Sequence, residues 1–375
     1  MSLDELKRPW PRHRVMPAEQ WSPPPGVRII STDEHIGEPV NLWRDRLPAA
    51  FRDRAPELFP TSGGGDIRMS IEGRDVVVRG VSEEMGNGLP GLWDLDIRLR
   101  HMDAERIDVS FMFGGRILAL TGLADRELYF ACIDAYNEWL LETCAPHKDR
   151  LIGVAVVPTM YQPEATADYI QKLKDMGCRA IQMPTYPRDV RYNSKAMEPM
   201  WATIAASGMP LQFHVGLQMQ FKGKGAMLAN ITHNLSPFRP LLAQFMFSGI
   251  LDRHPELKLV FTEGGATWAA QAIVDMDAIA KSYAYAMDGD LNPKLGMMPS
   301  EYWRRQCYVS FIEDLPAMRL LDIIGEDNVM WGSDYPHAEG TWCHSLETLE
   351  AHWNAIGPEA GAKLLGGNAA RLWNL

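Results

Sequence analysis

The sequence predicts a (β/α)8 TIM barrel, an α/β fold, on three observations. Eight short, nearly continuously apolar runs recur along the 375 residues. Longer helical segments separate most of them, with strand-to-strand distances of roughly 25 to 50 residues, as βα units require. Titratable residues also gather where several runs end, the place where such barrels build their active sites.

In order, residues 1–26 read as an N-terminal arm and 27–375 as the barrel. The first strand is "VRIISTDEH" (27–35). A Pro- and Gly-rich insertion over 36–105 follows ("LFPTSGGGDIR", "GNGLPGLW"), with weak periodicity but enough Trp, Leu and Phe to be ordered. The remaining strands are "IDVSFMF" (107–113), "LIGVAVVP" (151–158), "CRAIQMP" (178–184), "PLQFHVG" (210–216), "LKLVFTEGG" (257–265), "CYVSFIED" (307–314) and "NVMWGSDYP" (328–336). Runs this apolar suit parallel strands covered on both faces. Helices are expected over 125–144, with Asp125 as N-cap, over 162–177 and 197–208, each ending at a glycine, and over 266–287. An irregular stretch, 216–237, joins the insertion as a lid over the C-terminal face.

An excess of 48 acidic over 37 basic residues, a net charge of −11, argues against nucleic-acid or anionic-membrane partners. No apolar run approaches the ~18 residues of a membrane span, and the N-terminus lacks a signal-peptide core, so a cytoplasmic protein is expected. Five cysteines without a CxxC pair read as reduced core thiols. "SGGGDIR" (62–68) lacks the lysine of a phosphate loop, and Lys222 and Lys224 read as a solvated loop.

The first strand ends in Asp33 and His35, the fifth carries His214, the sixth Glu263, and the eighth Asp334, with His337 just beyond. Asp33 and His35 are two apart and share the inward face, whereas Glu34 points to the helix layer. Several carboxylates buried together repel one another and resist desolvation unless a cation joins them, so a metal site is expected. Glu38 either adds a ligand, caps its loop or pairs with an arginine. Glu263 is a ligand or a general acid/base, and His337 is a ligand or orients Asp334.

The D-x-H of strand one, the histidine of strand five, "WGSDYPH" and "RHPELKLVFTEGG" resemble the amidohydrolase superfamily, in its decarboxylase-like branch called amidohydrolase type 2. The resemblance covers most of 27–375. Relatives often open with H-x-H, whereas this chain has Asp33; binuclear relatives carry a strand-four lysine, whereas this chain offers Gln182; decarboxylase-like relatives have a strand-six histidine where Glu263 stands.

Counting Asp33, His35, Glu38, His214, Glu263, Asp334 and His337 gives seven donors, rich in carboxylate and without thiolate. Such a set suits two iron or manganese ions that meet oxygen. "D-x-H-x-x-E-P" and "E-G-G" also resemble a barrel subgroup typified by a nonheme diiron monooxygenase that hydroxylates a diterpenoid in platensimycin biosynthesis. That resemblance implies two Fe(II) ions, dioxygen, an external reductant, a hydrophobic terpenoid or coenzyme-A-linked acyl substrate, Glu263 and Asp334 in catalysis, and a homodimer. The alternative is a mononuclear Zn or Mn hydrolase or nonoxidative decarboxylase, with Asp33, His35, His214 and Asp334 on the metal.

Overall fold

Eight parallel strands form the barrel in a computed structural model that describes residues 15–60, 67–71, 74–78, 89–115, 117, 120, 123–159, 163–187, 190–216, 220–287, 289 and 292–375. The start of the N-terminal arm, most of "SGGGDIR" and residues 217–219 of the second lid segment lie outside the described residues. The strands are β1 (Ile30–Ile36), β2 (Val109–Gly114), β3 (Leu151–Val156), β4 (Ala180–Gln182), β5 (Leu211–His214), β6 (Leu259–Thr262), β7 (Cys307–Phe311) and β8 (Val329–Trp331). Each pairs in parallel with the next, in chain order. The sheet closes where β1 meets the segment after β8. There the Asp334 amide donates to the Asp33 carbonyl (2.8 Å) and the His35 amide to the Tyr335 carbonyl (2.7 Å).

The barrel interior is apolar at its floor. Ile30, Val109, Phe111, Val154, Val260 and Met330 form one cluster, plugged from below by Trp373, whose ring lies 4.3 Å from that of Phe111. Along β1 the pairing with β2 slips between Ser31 and Glu34, so β1 carries one extra residue, a β-bulge. The bulge changes which side chains face inward. Ile30 belongs to the floor, and strict alternation from it would turn Asp33 outward. Instead both Thr32 and Asp33 reach partners across the barrel: Thr32 Oγ1 lies 2.8 Å from Ser310 Oγ and Asp33 Oδ1 lies 3.3 Å from His214 Nε2.

The insertion after β1 contains a small antiparallel sheet (Glu57–Pro60, Ile67–Ile71, Arg74–Val78) and a helix, α1 (Leu95–Ala104). Four further helices fall where periodicity places them: α2 (Arg126–Cys144), α3 (Pro163–Asp175), α4 (Glu198–Ser207) and α5 (Thr267–Ser282). Asp125 caps α2 by accepting the Leu128 amide (3.0 Å), and α4 stops at Gly208, whose φ of +71° is the left-handed value a C-terminal glycine permits. On α2 the buried face includes Leu128, Ile133 and Leu140, each contributing about 1.5–3 kcal/mol by leaving water. Among the described residues no helix is long and apolar enough to cross a membrane.

Candidate metal centre

Six of the sequence-expected donors converge at the C-terminal rim, carried by β1, β5 and the segments following β6 and β8. Three overlapping groups have donor atoms within 4.8 Å of one another: Asp33, His35 and His214; His35, Asp334 and His337; and Glu263, Asp334, His337 and Glu339. Glu339 was missed by sequence reasoning. It lies two residues beyond His337 in an irregular segment, and the signal was the spacing D-Y-P-H-A-E itself.

His214 ends β5, and its Nδ1–H donates to the Val215 carbonyl (2.8 Å), which leaves Nε2 as the free nitrogen aimed into the cluster. That Nε2 is 3.3 Å from Asp33 Oδ1 and 3.0 Å from Glu263 Oε2. Asp334 Oδ1 is hydrogen-bonded to His35 Nε2 (3.0 Å) and lies 2.8 Å from His337 Nδ1 as an ion pair. The rings of His35 and His337 have centroids 4.0 Å apart. Two donors sit on strained backbone: Glu263 at φ +78° and Asp334 at φ +55°, a region that side chains other than Gly seldom occupy.

Burial opposes charge on every one of these groups, and their neighbours decide the outcome. For His214, burial is outweighed by the carboxylates of Glu263 and Asp33, and the imidazole is pushed up to about 10. For His337, Asp334 does the same, again to about 10. His35 is held down to about 4 by burial and by the neighbouring His337. Burial raises the Glu263 carboxyl well above the usual range, against the pull of His214. Asp334 stays below it despite burial, because His337 and His35 stabilise its charge.

Several buried atoms of this cluster make no hydrogen bond: both carboxylate oxygens of Asp33, His35 Nδ1, His214 Nε2, Glu263 Oε2 and Asp334 Oδ2. Buried polar atoms normally find partners, so this concentration of oxygen and imidazole donors matches a site for a divalent cation. Glu38 is in none of the three groups. Its Oε1 instead accepts the Ile117 amide (3.0 Å), so the expected seventh donor is not brought to the cluster. Glu34 points away from the centre, as expected, and pairs with Arg98 (2.7 Å). His254 lies at the start of the segment leading to β6 and bonds Glu198 (2.7 Å), away from the donors.

A family model described as amidohydrolase matches residues 40–375. The chain is 22% identical to a gamma-resorcylate decarboxylase of Rhodococcus jostii, covering 72% of this chain and 86% of the relative. It is 20% identical to a 2-amino-3-carboxymuconate-6-semialdehyde decarboxylase of Dictyostelium discoideum, covering 76% and 77%. Its fold is similar to that of a 5-carboxyvanillate decarboxylase of Novosphingobium aromaticivorans complexed with manganese and 4-hydroxy-3-methoxy-5-nitrobenzoic acid. That match has a TM-score of 0.72 and 18% identity, over 93% of this chain and 97% of that one. These relatives correct the oxygenase expectation. They are decarboxylases by name, not oxygenases, and none of the names points to a diterpenoid or coenzyme-A-linked substrate. The physical source of the error is the step from a carboxylate-rich donor set to oxygen chemistry, because oxygen and imidazole donors serve a single Mn or Zn ion as well.

Proposed function

Since the chain belongs to the amidohydrolase family, we propose that it is a metal-dependent nonoxidative decarboxylase of an aromatic or conjugated carboxylic acid. One divalent cation, Mn or Zn, would be held by Asp33, His35, His214 and Asp334. The observation that carries this reading is the set of buried, unbonded donor atoms on those four residues, and the kinship to decarboxylases supports the reaction class. Manganese in the structurally similar carboxyvanillate enzyme supports the choice of ion.

When bound, the cation supplies a Lewis acid that withdraws electron density from an anionic substrate. The rest falls to the chain's own groups. Nonoxidative decarboxylation exchanges a C–CO2 bond for a C–H bond: the bonding pair stays on carbon, a proton joins it, and CO2 leaves. No external oxidant or reductant enters the balance. Glu263 is the proton carrier, because burial pushes its carboxyl well above the usual carboxylate range while its Oε2 faces the donor cluster. Asp334 remains ionised and holds His35 and His337 in place through Oδ1. Phe113, whose ring is 4.7 Å from that of His214, gives the centre an apolar wall and limits water.

The test is to strip metal with chelator, reload Mn or Zn under argon, and measure CO2 release from a panel of carboxylated phenols. Metal-dependent release that does not need oxygen is expected, with a loss of about 10²-fold or more in Asp33→Ala and His214→Ala, as for removal of a metal's own ligands. Absence of CO2 release across the panel, or turnover that consumes oxygen, overturns the reading.

A further inference from the structure

Behind the donor cluster, on the outer side of β1, lies a buried ion pair that the reaction does not use. Glu34 and Arg98 are each about 1% exposed and pair at 2.7 Å. Arg98 stands on α1, in the insertion rather than the barrel. Its guanidinium also donates to the Gly91 carbonyl (3.0 Å) and to the His35 carbonyl, and it lies 3.7 Å from the centroid of the Tyr335 ring. Glu34 in turn accepts the Ser333 hydroxyl (2.9 Å). One guanidinium therefore contacts the Glu34 carboxylate and the His35 carbonyl of β1, and touches Tyr335 in the segment following β8. These are the two stretches that carry Asp33, His35, Asp334 and His337.

The junction they meet at is thin. Beside the two backbone bonds that close the barrel, it relies on side chains: Thr32 Oγ1 donates to the Trp331 carbonyl (3.0 Å), and the Ser333 amide donates to Ser31 Oγ (2.9 Å). A regular ladder would hold register by itself, but here the pairing is a single isolated bridge, Glu34 to Tyr335. A bulged strand at a short junction is free to slide unless something fixes it, and the fork of an arginine fixes several acceptors at once.

We propose that Arg98, acting through Glu34 and the His35 carbonyl, is a positioning residue that sets the spacing between the β1 donors and the β8 donors, and so sets metal affinity. This rests on the metal site put forward above. It assigns the insertion a chemical role: α1 holds the centre together from outside.

A buried pair is costly to break by removing one partner and much less so to replace whole. That contrast separates positioning from plain stability. The variants are Arg98→Met, the pair Glu34→Gln with Arg98→Met, and Arg98→Lys, which keeps the charge but loses the fork. Each is read by thermal melting without metal and by titration with Mn under argon. Expected is that the paired variant melts closer to wild type than Arg98→Met does, while its Mn affinity, and that of Arg98→Lys, stays weaker than wild type by about 10- to 100-fold.

If the paired variant recovers stability and Mn affinity together, Arg98 is structural only and the inference fails. If that variant does not fold, Arg98→Lys decides, and wild-type Mn affinity in it also overturns the inference. Wild-type protein that takes up no divalent cation removes the proposed function and this inference with it. Wild-type uptake matched by the variants removes the inference alone.

Discussion

Gly332 offers the sharpest test of how tightly the barrel junction is built. It follows β8, and a Cβ added there would sit 2.5 Å from Asp33 Cβ, 2.9 Å from Asp33 N and 3.2 Å from Asp33 Cα. Two of those three atoms are backbone, so no side-chain rotation relieves the overlap. The bulged strand must move outward by a sizeable fraction of an ångström. Overpacking of this kind costs about 1–3 kcal/mol. In a chain of this length that lowers the melting temperature by only about 1–4 °C, because the entropy of unfolding scales with length.

Metal affinity is the more sensitive reading, since Asp33 itself is displaced from His214. Gly332→Ala is expected to weaken Mn binding by about 10-fold or more, following the magnitude of changes that disturb ligand placement. Gly115→Ala is the control: nothing lies within 4 Å of its added Cβ, and stability should stay within about 0.5 kcal/mol. Isothermal titration of metal-free Gly332→Ala that returns the wild-type affinity would refute the reasoning.

Glu263→Gln removes the proton carrier; kcat for CO2 release should drop by about 10²- to 10⁴-fold, and an unchanged kcat would reassign that role. Metal uptake should release protons and strengthen as pH rises. His214, one of the four proposed ligands, is pushed up to about 10, so near neutral pH it holds a proton that its ligating nitrogen must give up. Titrations in buffers of differing ionisation enthalpy measure that release, and affinity independent of pH between 6 and 9 contradicts it. Glu38→Gln keeps an acceptor for the Ile117 amide and should leave the metal-to-protein ratio unchanged; a lower ratio by elemental analysis would return Glu38 to the ligand set.

The barrel was legible because parallel strands buried on both faces are apolar at nearly every position, as "LIGVAVVP" and "LKLVFTEGG" illustrate. Asp33, His35, His214 and Asp334 stood out as polar interruptions at the ends of such runs. The insertion was not legible. Its helix α1 reads "LDIRLRHMDA", and its buried face is built partly from Arg98, whose burial depends on Glu34 sixty-four positions earlier. No local pattern reports a partner that distant. Glu38 shows the same limit: a sequence shows that it is a carboxylate but not that the Ile117 amide, 79 positions away, takes one of its oxygens. The reaction class then followed the excess of carboxylates into oxygen chemistry, where the relatives did not go.

The bulge in β1 has one more consequence. A seven-residue strand ordinarily has a single phase, so whatever suits its lower half constrains its upper half. Here the slip between Ser31 and Glu34 uncouples the two. Below it, Ile30 answers only to the packing of the floor; above it, Asp33 and His35 answer only to the donor cluster. Substitutions at Ile30 should therefore change stability and leave the chemistry alone. Straightening the slip without removing a residue would exchange the lumen-facing set and present Glu34 where Asp33 and His35 now stand. Within this strand, one surplus residue lets a stable floor and a reactive rim be altered separately.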